Sequence, residues 1–169
     1  MPVTWLYVVG GIVISIVALA IAYNLISQAI NTSLRQSALK EFSDLKNDVE
    51  NVCTQEIKNF VRVKFTLYSK TRVVYATDYP TYIMPTVIDS IKNSKKSSGI
   101  NICMQFIDEQ DKVRCEKLTC DLDMPYIGTL PESEDIWSAV NKILGRANVK
   151  EYDLTVKKVS GDVVEISIG

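Results

Sequence analysis

Apolar and polar positions along this chain follow three rules in succession. From Trp5 to Ile26 there are 22 residues without a charge, and apolar side chains fall on every side of a helical projection. At ~1.5 Å per residue that run spans roughly 33 Å, the thickness of a bilayer core. Trp5 and Tyr7 stand at one end and Tyr23 at the other, where amphipathic rings prefer to sit. The spacing then becomes amphipathic. Ile26, Ile30, Leu34, Ala38, Phe42, Leu45, Val49 and Val52 recur every three or four residues, with Arg35, Lys40, Glu41, Lys46 and Asp48 between them. No Gly or Pro interrupts residues 12–79. The pattern predicts one continuous helix from about Trp5 to about Cys53, ~73 Å long.

Beyond that helix the period falls to two. Phe60–Tyr68 sets Val61, Val63, Phe65 and Leu67 against Arg62, Lys64 and Thr66, the signature of a half-buried strand. A turn at Ser69-Lys70-Thr71 leads to a second strand over Arg72–Thr77. Pro85 suits the first turn of a helix running through Ile88 and Ile91. Ile100–Ile107 and Val113–Leu118 read as a strand pair around Asp108-Glu109-Gln110. Ser133 fits an N-cap for a helix over Glu134–Leu144, which Gly145 ends. Tyr152–Val159 and Val163–Ile168 close the chain as a hairpin about Ser160-Gly161. The expected fold class is α+β: a long N-terminal helix packed on a small, mostly antiparallel sheet with two further helices. The expected divisions are a transmembrane anchor over 1–30, an amphipathic continuation over 31–56 and a head over 57–169.

Composition sharpens the division. The chain has 169 residues, 19 Lys and Arg, 20 Asp and Glu and no His, for a net charge of -1. The first charge is Arg35, so the anchor carries none of them. Near-neutral charge argues against a nucleic-acid partner, which needs a clustered basic excess. The cluster of Lys92, Lys95 and Lys96 lies among Ser94, Ser97, Ser98 and Gly99 and reads as a solvated loop. A cleaved signal peptide competes with the anchor, with Ala20-Ile21-Ala22 as its cleavage site. Its apolar stretch would be shorter and its start basic.

Gly11, Ser15, Ala18 and Ala22 follow steps of four, three and four, which lines small side chains along one stripe of the anchor. Inside lipid, such a stripe lets a second helix approach closely. The expectation is self-association through this helix, with other membrane or filament subunits as further partners.

Four cysteines, Cys53, Cys103, Cys115 and Cys120, allow three pairings. A loop centred on Asp108-Glu109-Gln110 opposes residues whose numbers sum to 218. Cys103 and Cys115 meet that condition, which leaves Cys53 and Cys120 to tie the helix end to the head. A zinc site and four free thiols are the rivals; no C-x-x-C spacing and no His favours zinc. Disulfides place the head outside the cytoplasm. Arg35 and Lys40 after the anchor point the other way. The sequon Asn31-Thr32-Ser33 fits the outside. On balance the chain reads as single-pass, with an extracytoplasmic head.

No catalytic constellation emerges. Asp108, Glu109 and Asp111, then Asp121 and Asp123, then Glu132, Glu134 and Asp135 cluster where turns and helix caps want carboxylates. Gly128, Gly145 and Gly161 do not form a phosphate loop. The expectation is a protein that is not an enzyme and uses no cofactor and no metal.

The apolar run followed by an amphipathic helix and a β-rich head resembles type IV pilin-like proteins, small archaeal ones in particular. The resemblance covers residues 5–53 by pattern and the head by class. It implies a structural subunit whose apolar helices, here Trp5–Ile26, bundle into a filament core, while Ile30–Val52 packs on the head. The family's processing site, a basic and a small residue before the apolar run, does not occur here. Trp5 stands where an acidic residue is frequent, and Met1-Pro2 points to an unprocessed anchor. The alternative function is a membrane-tethered binding or accessory domain that does not assemble.

Overall fold

The computed structural model describes residues 3–57, 59–68, 71–79, 95–107, 113–128 and 149–169. Its single helix among those residues, α1, covers Val3–Thr54. The absence of Gly and Pro after Gly11 lets the backbone ladder run on without a break. The strands are β1 (Phe60–Tyr68), β2 (Thr71–Thr77), β3 (Lys96–Phe106), β4 (Val113–Pro125), β5 (Ile127–Gly128), β6 (Val149–Ser160) and β7 (Val163–Ile168). The chain divides into two compact units, Met1–Leu34 and Arg35–Gly169.

In the second unit the seven strands form one sheet in the order β1-β6-β7-β4-β3-β2-β5. The fold is α+β, and the sheet is mixed. β4 and β7 run parallel at Asp121–Asp123 and Val163–Glu165, while the other pairs are antiparallel. The two further helices expected around Pro85–Ile91 and over Glu134–Leu144 lie outside the described residues; the described ones contain α1 alone.

The Ser/Lys segment departs from the expected loop at its end, because Lys96–Gly99 already belongs to β3 and pairs with Leu122–Pro125 of β4. The register shifts between Gly99 and Asn101, and Gly99 takes a φ of 152°. A Cβ there would run into the Thr77 carbonyl carbon, so the bulge needs glycine. Both strands therefore continue past the point where apolar alternation fades.

Ala38, Phe42, Leu45, Val49 and Val52 of α1 are 0–3% exposed. They share one core with Val74, Ile102, Met104, Leu122, Leu154, Val164 and Ile166 of the sheet. Arg35 closes this core at one end, its guanidinium 5.1 Å from the Phe106 ring centroid. A second, smaller cluster holds Val73, Tyr75 and Cys103, with Val113, Cys115 and Tyr126 packed against it. Neighbouring strand residues point to opposite faces, so Val73 and Tyr75 belong to the face that Val74 and Ala76 do not.

Candidate anchoring and assembly site

In the first unit α1 carries large apolar side chains that are exposed. Trp5, Tyr7, Ile14 and Leu19 are each at least 70% exposed, and Val8, Val13, Ile16, Ile21, Leu25 and Ile26 lie between 52% and 61%. In water such a surface would be untenable; in lipid it is the expected outer layer. This part of α1 is long and apolar enough to cross a membrane, which makes it a candidate anchor.

Gly11, Ser15, Ala18 and Ala22 are all exposed on this helix. At ~100° per residue they fall within about 60° of its circumference. The Ser15 hydroxyl donates to the Gly11 carbonyl at 2.8 Å, so its polar group is satisfied within the helix. A Cβ built on Gly10 or on Gly11 would meet nothing within 4 Å. Glycine inside a helix costs about 1 kcal/mol relative to alanine. Among the described residues no neighbour requires that cost here.

In the second unit the attachments converge on the last turns of α1. Cys53 is bonded to Cys120 of β4, with Cα atoms 5.8 Å apart. Glu50 accepts from the Thr119 amide at 3.2 Å and from the Thr119 hydroxyl at 2.6 Å. From β6, the Lys158 ammonium donates to the carbonyl of Cys53 at 2.6 Å and of Gln55 at 2.9 Å. A cation on the final carbonyls satisfies orphan acceptors and opposes the negative end of the helix dipole. Farther back, the Glu41 carboxylate accepts from the Thr66 amide of β1 at 3.3 Å. The other disulfide joins Cys103 to Cys115, register partners on β3 and β4, with Cα atoms 4.1 Å apart. Among the described residues no cysteine is free. Disulfides suit an oxidising compartment outside the cytoplasm.

Sequence reasoning passed over Lys158, Glu50 and Glu41. A signal existed for the lysine: Tyr152, Leu154, Val156 and Lys158 share the buried parity of β6, and a cation on that stripe has to find acceptors.

The carboxylates make no comparable site. Asp121 and Asp123 are exposed on β4, and the clusters at 108–111 and 132–135 lie outside the described residues. Among the described residues no three His, Cys, Asp or Glu side chains gather as a metal site. Two titrating groups are displaced. Burial pushes the Tyr75 phenol up to about 12. Burial and then the neighbouring Asp44 raise the Asp48 carboxyl above its ordinary value. Among the described residues neither group has a partner set suited to acid–base chemistry.

A long apolar N-terminal helix combined with a small β-sheet domain is an architecture compatible with pilin-like proteins. No family model, no curated protein and no solved structure matches the chain.

Proposed function

We propose that this protein is a membrane-anchored structural subunit of pilin-like type, which assembles through its N-terminal helix into an extracellular filament or a membrane complex. The observation that carries the reading is the pair of opposites on the first part of α1. Its apolar surface is exposed all round, and the Gly11, Ser15, Ala18 and Ala22 stripe is narrow, with nothing among the described residues within 4 Å of a Cβ built on Gly11. Lipid supplies no hydrophobic drive between helices, so close backbone approach along small residues has to hold them together. The two disulfides support a head outside the cytoplasm. Neither catalysis nor a cofactor has a place in this reading.

Crosslinking of the full-length protein in native membranes tests it. Gly11→Leu or Ala18→Leu abolishes self-association, while Ile16→Leu, off the stripe, leaves it intact. Electron microscopy of the purified protein then separates filaments from discrete complexes. If every variant crosslinks like the parent, the second reading holds: a tethered accessory domain that does not assemble.

A further inference from the structure

Among the described residues β1 ends the sheet: β6 pairs with one of its edges, and no strand pairs with the other. The direction of its backbone groups follows from one contact. The Thr66 amide points away from β6, because it donates to Glu41 of α1. The β1–β6 register has no shift, so in an antiparallel ladder every second residue points the same way. The amides and carbonyls of Arg62 and Lys64 therefore also face the open edge. Among the described residues, no hydrogen bond reaches those two amides.

Cover along β1 is uneven. On the core face Phe65 and Leu67 are buried, yet Val61 and Val63 are only half-buried. On the opposite face Phe60 is 58% exposed, and Arg62 and Lys64 are exposed. The segment Phe60–Lys64 thus combines free ladder groups, two half-covered valines on one side and two cations on the other. An edge of this kind is a template for one more strand.

Charge decides what that strand is. If β1 met β1 of a second copy antiparallel, any centre from 62 to 64 would bring Arg62 or Lys64 against itself or against the other. Like charges directly opposed are unfavourable, so the two cations reject self-pairing. They favour a strand with carboxylates on that face, and the half-covered valines favour apolar residues on the other. We propose that Phe60–Lys64 accepts an extended segment of a different protein, in which acidic and apolar residues alternate. The proposal concerns the head and does not depend on assembly through the anchor.

The test uses the full-length, disulfide-intact protein in micelles, with amide exchange read residue by residue. Three synthetic peptides serve as probes: alternating Val and Glu, alternating Val and Lys, and the acidic peptide with every second amide N-methylated. The acidic peptide slows exchange at Arg62 and Lys64 at least tenfold, and the other two leave it unchanged. In the double variant Arg62→Glu with Lys64→Glu the preference inverts to the basic peptide. Lys64 lies opposite Asp153 on β6 and Arg62 opposite Thr155, so the double variant melts below the parent. Arg62→Glu alone keeps the parent's midpoint and still weakens the preference for the acidic peptide. Protection by neither peptide, equal protection by both, or an unchanged preference in the double variant overturns the proposal. The two cations would then serve only to block aggregation at the edge. Self-association through the stripe is measured separately and can fail without touching this result.

Discussion

The two parts of α1 obey the same backbone rules and meet opposite surroundings. Before Leu34 its large apolar side chains are exposed, as Ile14 is at 71%. After Arg35 one stripe of it is buried to near completion, and Phe42, Leu45, Val49 and Val52 are all at 0%. In the second unit the helix is held by its own chain, through water-driven burial, a disulfide and charged caps. In the first unit its apolar side chains are exposed, and their chemistry suits lipid or another helix. The same residue type therefore contributes to folding in one part and marks a candidate membrane anchor in the other.

The largest effect that sharpens this contrast is loss of the Cys53–Cys120 bridge. It closes a separation of 67 residues, which is worth about 4 kcal/mol in the chain-entropy model. The Cys103–Cys115 bridge closes 12 residues, worth about 3 kcal/mol by the same relation. Denaturant unfolding of the paired Cys→Ser variants ranks the two; an inverted order means that the helix end is not the costlier element to release.

Next comes burial itself. Leu45→Ala, at a site of zero exposure, lowers head stability by about 3 kcal/mol. Ile16→Ala in the anchor leaves the unfolding of the head unchanged. If both shift the head transition alike, the division of labour within α1 is wrong.

Lys158→Met keeps the stem and removes the cation from two carbonyls. The expected loss is about 2 kcal/mol, because hydrogen bonds from charged groups exceed neutral ones. A thermal melt of the head reads it.

The smallest effect is at Asp48. Its folded carboxyl is raised above the ordinary value, so its ionised form is disfavoured by folding. The contribution is unfavourable at neutral pH and fades as pH falls through the raised value. Asp48→Asn therefore stabilises the head slightly at pH 7, and the gain vanishes in acid, below the ordinary aspartate range. Melts of parent and variant across that range show whether the two curves converge.

Local order decided most of what the sequence by itself determined. The helical spacing up to Val52 and the period of two in Phe60–Tyr68 are properties of neighbouring residues, and α1 and β1 follow them. The opposition of Cys103 and Cys115 is local too: a short loop sets the register of its own hairpin, and numbers summing to 218 recur at Asn101↔Lys117, Met104↔Arg114 and Gln105↔Val113. The apolar run of the anchor and the spacing of Gly11, Ser15, Ala18 and Ala22 are equally local, since both are read along one helix. What only the tertiary structure decided involves residues far apart in the chain. The parallel contact of β4 with β7 depends on where the closing hairpin docks. Lys158 became a helix cap because β6 brings it to the end of α1, 105 residues away in sequence. Val61 and Val63 share a parity with Phe65 and Leu67 but not their burial, a difference that parity cannot carry. Periodicity tells which face a residue belongs to; what covers that face is settled by packing between segments that no local pattern connects.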